Sequence, residues 1–466
     1  MSEISSGDRT AVVLAWPDIL YDLQDCLSDF PQAVYIVGGA VRDAYLRRPI
    51  KDLDLATPGS GIRLARTIAN AFKGDFYPLD AERDVGRAIL NTPDGRFIID
   101  AARLRGGTLE ADLSDRDFTM NAMAVDLRSD LNAIIDPLHG LADLRAHLLR
   151  PCTDSSLETD PIRSLRAVRQ SIQFGLRLDA QTLAAIRNTR DRLTSVSPER
   201  VRDEVFKLLD LARPVAALRI LGALDLLPDL LPSSDERDFI FRLIDHLGAI
   251  WNVISPQRDD NTVAQFAYGM LAIQLGGVRA RLIELLARSY GAERSQRALL
   301  TLEALFIRRD VCDEWSDRLR LSNQEKDRIC KAVQAFQQAV NFETEPLSIY
   351  RYWRDAGDAG VDGLLLALAA SLASTAQIDQ DRWLRQIDRA RLILEAYLLH
   401  REQAVDPPAL VDGTVLMQQF GLRPGPIIRT LLEHIREGQV IGTIRTVEDA
   451  LEAARRYLQT QADLSR

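Results

Sequence analysis

The stretch that most constrains this chain is residues 34–57, VYIVGGAVRDAYLRRPIKDLDLAT. Val34 to Val37 is an apolar, β-branched run of the kind that fills a buried strand. Gly38 and Gly39 interrupt it, and the pattern predicts a helix over Val41 to Arg47. KDLDLA then reads as a second strand, whose alternation sets Asp52 and Asp54 on one face and Leu53 and Leu55 on the other. Two carboxylates on one face, beside a glycine turn and a helix start, can hold divalent metal against a triphosphate. A lone Asp-x-Asp is common, and the turn has neither GxGxxG nor GK[ST]. The joint pattern is far more specific than either part.

Constellations of this kind resemble the signature of polymerase-beta-type nucleotidyltransferases. In its fuller form, GGAVRD…DLDLAT, the stretch resembles the class II tRNA nucleotidyltransferase and bacterial poly(A) polymerase family. Matching pieces follow in order. Strand-like runs (DFYPL, RAILNT, RFIID) fill Phe76 to Asp100, with a turn at Pro93-Asp94-Gly95. If the last of them lies beside KDLDLA, Asp100 becomes a third carboxylate, where the family has an acid. DLSDRDFTMNAMAVDL (112–127) resembles the family's Arg-Arg-Asp-Phe-Thr-x-Asn-Ala, with Asp115 in place of the first Arg. That resemblance implies that Arg116 and Asp117 face the sugar and phosphates of a nucleotide; Arg suits phosphate and Asp accepts from ribose hydroxyls. IDPLHGLADLRAHLLR (135–150) resembles the family's connector, with Asp136 and Asp143 structural.

From about residue 150 the periodicity is helical. Asp160 reads as an N-cap with Pro161 at the first helical position, and Arg163, Arg166 and Arg169 follow at spacing three. DPIRSLRAVR resembles the family's nucleotide-selecting signature, although the usual Glu before the Asp is Thr159 here. Cytosine and adenine both offer an amino donor beside a ring-nitrogen acceptor, which one carboxylate and one guanidinium can read. Guanine and uracil would oppose acceptor to acceptor and donor to donor. Asp160 and Arg163 are therefore the expected template, with Arg166 and Arg169 towards phosphate. SPERVRDEVFKLL (197–209) resembles the last shared signature. Motifs thus cover residues 34–209, and RLRLSNQEKDRI (318–329) and residues 410–451 resemble C-terminal pieces of longer bacterial relatives.

Composition bounds this reading. The 466 residues suffice for two to four domains, and 46% hydrophobic with 27% charged residues is ordinary for a soluble protein. The four cysteines are scattered without a CxxC pair, which argues against a disulfide framework or zinc site and suits a reducing, cytoplasmic setting. The N-terminus has acids, Glu3 and Asp8, before any apolar run, unlike a secretory signal, and no apolar stretch spans a bilayer. At a net charge of −9 the chain has no general electrostatic attraction to RNA, yet residues 160–202 hold nine Arg against four acids. Such a patch can follow a phosphate backbone. His246 has no following His-Asp pair, so no phosphohydrolase site is expected.

The expected fold is α+β: a small mixed-sheet, polymerase-beta-like head (1–150), a helical neck carrying the nucleotide-selecting helix (151–215), and a helical, tRNA-binding body and tail (216–466). The resemblance implies Mg²⁺ on Asp52 and Asp54, with Asp100 helping to activate an RNA 3′-hydroxyl. Gly38, Gly39 and Arg42 would hold the triphosphate. The expected substrates are the tRNA 3′ end, CTP and ATP, and the product is the CCA end. Poly(A) synthesis, CC-only or A-only addition, and an inactive RNA-binding relative are the alternatives. The segment ERDVGR (82–87) is a candidate for a mobile loop that switches from C to A. Oligomeric state is not fixed by the sequence.

Overall fold

The computed structural model describes residues 13–93, 95–227, 231, 236–256, 260–263, 265–288, 294–340, 343–374 and 377–464. Glu3, Asp8 and the turn residue Asp94 lie outside these. The chain divides into two compact units, Met1–Ser197 with Ile220–Leu226, and Pro198–Arg219 with Leu227–Arg466.

The first unit opens with α1 (Ile19–Cys26), β1 (Tyr35–Val37), α2 (Gly39–Tyr45), β2 (Asp52–Thr57) and α3 (Gly61–Phe72). The hairpin strands β3 (Asp75–Asp80), β4 (Val85–Thr92) and β5 (Gly95–Arg103) follow. Then come α4 (Leu109–Ser114), β6 (Ala124–Asp126), β7 (Ile134–Ile135), α5 (Gly140–Arg145), α6 (Ser156–Thr159) and α7 (Arg163–Phe174). The strands form one sheet in the order β3-β4-β5-β2-β1-β6-β7. Within this sheet, β2 and β5 are the only parallel neighbours among the described residues.

Side-chain alternation gives this sheet two faces. Leu53, Ala88 and Ile99 are fully buried on the side where α3 packs its apolar stripe of Leu64, Ala65, Ile68 and Ala69. Burying each large side chain is worth roughly 1.5–3 kcal/mol. Ser60 caps α3 by accepting from the Arg63 N–H at 3.2 Å. The helix sits so close to the sheet that a Cβ on Gly61 would lie 2.4 Å from the Asp84 carbonyl oxygen. On the opposite face, Val37, Ala56, Leu104, Leu109, Leu113 and Ala124 form a smaller core under α4. This face carries the acids.

The second unit is helical. Its centre is helix Ala359–Ala373, nearly all of whose residues are buried, packed by helices Arg237–Ile254 and Asn323–Val340. Trp353 stacks on Tyr397 with ring centroids 4.1 Å apart. A separate small core near the C-terminus joins Leu416, Ile428, Leu431, Ile435 and Ala450. The helix Val447–Leu464 begins with a capping box: Thr446 Oγ1 accepts from Asp449 N at 3.1 Å and Asp449 Oδ2 from Thr446 N at 3.0 Å. No single described helix is long and apolar enough to cross a membrane.

Candidate active site

Strand register assembles the acidic face. Asp54 on β2 lies directly beside Asp100 on the parallel β5, and Asp100 lies opposite Arg87 on β4. Asp52 and Asp54 stay on the exposed face of β2 while Leu53 and Leu55 are buried. Protein atoms crowd Asp54 even so, and that desolvation pushes its pKa above the ordinary carboxylate value. Arg116 opposes the shift, Asp100 and Asp52 add to it by repulsion, and Arg105 opposes it again.

The glycine turn closes over this face. Gly38 sits at φ +78, and a Cβ there would meet Arg116 Nη1 at 2.6 Å, with Asp54 Oδ2 at 3.5 Å. Glycine is required on both counts, conformation and space. Arg116 is steadied by the buried Asp112, whose Oδ2 accepts from Nε at 3.3 Å and Nη2 at 3.0 Å. Asp115, which stands where the resembling motif has an arginine, accepts from Arg105 Nη1 at 2.9 Å.

Arg42, expected to hold the triphosphate, is placed otherwise. It is buried beneath the turn, donates to Asp43 at 2.8 and 3.1 Å and to Asn121 Oδ1, and lies over the Phe174 ring at 4.1 Å. A guanidinium already neutralised and stacked shapes the turn; it has little left to offer a phosphate. Asn121 continues the contact inwards, donating to Asp117 Oδ1 at 2.9 Å and to Gln170 Oε1 of α7 at 3.0 Å. Asp117 also accepts from Phe118 N at 2.9 Å and has Arg166 Nη1 3.7 Å away.

The segment before α7 departs from the expected cap. Regular helix begins at Arg163, because Pro161 and Ile162 form a tighter turn in which Arg163 N donates to the Asp160 carbonyl at 3.0 Å. Asp160 is extended, at φ −141 and ψ 93. Arg163 bridges elements: Nη1 donates to Ser156 Oγ at 2.7 Å and to the Arg116 carbonyl at 3.2 Å, and Nη2 to the Asp115 carbonyl at 2.7 Å. Arg169 donates to Gln173 Oε1 at 2.9 Å within its own helix.

ERDVGR forms a hairpin turn and the start of β4. Asp80 Oδ1 accepts from Glu82 N and Arg83 N, both at 3.0 Å, and Asp84 Oδ1 from Ser60 Oγ at 2.8 Å and Ile62 N at 3.1 Å. Arg87 then grips Asp100 with two parallel bonds, Nε to Oδ1 at 2.7 Å and Nη2 to Oδ2 at 2.8 Å. Asp136 and Asp143 serve structure as expected: Asp136 caps α5 through Gly140 N at 2.7 Å, and Asp143 accepts from Thr119 Oγ1 at 2.7 Å.

Hard oxygen donors on adjacent strands suit a small divalent cation that completes its shell with water and phosphate oxygens. The raised pKa of Asp54 marks a site where added positive charge would be welcome. Among the described residues no three His, Cys, Asp or Glu side chains converge as a metal cluster, which agrees with Asp100 being occupied by Arg87.

Comparison with known proteins bears on the same residues. The model for the Poly A polymerase head domain matches residues 34–150, that for "Probable RNA and SrmB- binding site of polymerase A" matches 175–237, and that for tRNA nucleotidyltransferase domain 2 matches 308–454. A CC-adding tRNA nucleotidyltransferase of Geobacter sulfurreducens is 30% identical over 430 residues, 91% of each chain. An A-adding tRNA nucleotidyltransferase of Deinococcus radiodurans is 28% identical over 450 residues, 93% of this chain and 97% of that one. Among solved structures, a CCA-adding enzyme in complex with CTP aligns over 95% of this chain and 96% of its own, with a TM-score of 0.63 at 21% identity.

Proposed function

The chain belongs to the family of CCA-adding tRNA nucleotidyltransferases and bacterial poly(A) polymerases, and from that premise we propose that it adds C and A from CTP and ATP to the 3′ end of tRNA. The observation that carries the reading is the register that sets Asp54 beside Asp100, under a glycine turn closed by Arg116. Asp52 and Asp54 would hold Mg²⁺, which when bound supplies the positive charge for in-line attack of the 3′-hydroxyl on the α-phosphate and departure of pyrophosphate. The chain's own groups do the positioning. The Gly38–Gly39 turn and the orphan N–H groups of the first turn of α2 face the triphosphate. Arg116, held by Asp112, adds a fixed guanidinium beside them. Asp160 and Arg163 read the base edge, which requires Arg163 to exchange backbone carbonyls for a ring nitrogen.

A second reading, that addition stops after CC, is favoured by the Geobacter sulfurreducens relative, which is CC-adding. One experiment separates them. The purified protein is incubated with tRNA transcripts ending before CCA, after C or after CC, with each nucleotide, and the 3′ ends are sequenced. Extension of every transcript to CCA supports the proposal. Failure to add A to the CC-ending transcript supports the second reading. Long A tails on unstructured RNA without CTP use would overturn both.

A further inference from the structure

Across three neighbouring strands of the head, one residue each from β4, β5 and β2 points to the same face: Arg87, Asp100 and Asp54. Neighbouring strands lie about 4.8 Å apart, so all three head groups fall within the reach of one divalent ion and its water shell. Arg87 meets one of the three carboxylates of this face, that of Asp100. It does so through both oxygens of Asp100, at 2.7 and 2.8 Å. Paired bonds of this kind fix orientation as well as charge. Asp100 keeps its place in the row but has its two best acceptor directions filled.

Resting on the nucleotidyl-transfer reading above, we infer that Arg87 is a positioning residue that keeps Asp100 out of the metal's shell by clamping it. The pair is only half-buried, with side-chain exposures of 35% and 29%, so it is not there to fill a core. A paired Asp100 stays oriented beside the reacting centre, where an approaching hydroxyl can meet it, and cannot collapse onto the cation. Lysine could supply the charge without the fork. The inference concerns this chain's Arg87 alone.

The test is Mn²⁺ binding to the full chain, read by electron paramagnetic resonance of free Mn²⁺ without nucleotide, for wild type, Arg87→Met, Arg87→Lys, Asp100→Asn and Arg87→Met with Asp100→Asn. Releasing Asp100 in Arg87→Met should tighten binding about tenfold, the scale on which groups around metal ligands act. Asp100→Asn alone should stay within about twofold of wild type, and the double variant should return to that level, a non-additivity that only a clamp produces. Arg87→Lys should fall between wild type and Arg87→Met. No tightening in folded Arg87→Met, or tightening that survives in the double variant, overturns the clamp. If Arg87→Met fails to fold, a loss of affinity above twofold in Asp100→Asn alone overturns it just as well. A wild-type chain that binds no Mn²⁺ overturns the metal reading itself, and this inference with it.

Discussion

Two acidic clusters in this molecule are built from the same residue types and treated in opposite ways. In the head, Asp52 and Asp54 lie on an exposed strand face, with Asp100 clamped by Arg87 at 2.7 and 2.8 Å. In the helical body, Glu303, Asp362, Arg328 and Gln296 are buried together on helices Gln296–Leu305, Asn323–Val340 and Ala359–Ala373. There Asp362 accepts from Arg328 Nη2 at 2.5 Å and from Gln296 Nε2 at 2.7 Å. Among the described residues Glu303 has no hydrogen-bond partner for either oxygen, and burial, with repulsion from Asp362, pushes its pKa well above the ordinary value against the pull of Arg328. The head cluster faces solvent with a charge excess, which an incoming cation can relieve. The body cluster faces only protein, where burial and the neighbouring Asp362 favour the protonated form of Glu303. The head's acids can be reached from solvent and the body's cannot.

The largest expected effect falls on the head. Asp52→Asn and Asp54→Asn should each lower nucleotide addition by about 10³-fold or more with the fold intact, measured as incorporation into tRNA alongside circular dichroism. Near-normal turnover by either variant would erase the contrast between the clusters. In the body the sign changes. Asp362→Ala should cost about 3–5 kcal/mol of stability by stranding Arg328 in the core, while CMP addition per folded molecule holds; denaturant unfolding and active-site titration check both halves.

Smaller effects sharpen the comparison. Arg163 is a brace on the Asp115 and Arg116 carbonyls and the proposed reader of the base. Arg163→Ala should relax discrimination against UTP and GTP by about ten- to a hundredfold, the worth of a charge-assisted hydrogen bond. A lower melting temperature with unchanged selectivity would leave only the brace. Glu303 gives the pH signature. Its folded pKa lies above the unfolded one, so the stability associated with its proton is complete below the unfolded value and is lost as pH rises towards the folded value. Glu303→Gln should flatten that decline and gain about 1–2 kcal/mol at pH 8, read from urea unfolding at several pH values. A variant with the wild-type slope would show that Glu303 is already ionised.

Much of the head is legible in the sequence, because local signals and tertiary needs agree there. The alternation of KDLDLA gives the faces of β2, and the Gly-Gly interruption gives the turn. Arg87 was legible too, and was missed. With Thr92 opposite Gly95 at the hairpin, five steps back along β4 and forward along β5 bring Arg87 opposite Asp100. RAILNT already sets Arg87 on a strand; what stayed unread is the pairing register that puts it opposite Asp100. Arg42 could not be read correctly, since a positive charge near a glycine turn looks the same whether it meets a phosphate or packs against Asp43 and Phe174. The body's acid cluster was equally out of reach: Glu303 and Asp362 are far apart in the chain, and nothing near either predicts a shared burial.

The most direct test of this contrast is thermal unfolding of wild type and Asp54→Asn at neutral pH, first in metal-free buffer and then with Mg²⁺ and CTP. A carboxylate held above its ordinary pKa by crowding and like charge costs the empty fold stability. Asp54→Asn is therefore predicted to melt higher than wild type without metal and to lose that lead once Mg²⁺ and CTP are present. An Asp54→Asn variant that melts lower in metal-free buffer would contradict the account, because the head's carboxylate would then be holding the fold together as Asp362 does in the body.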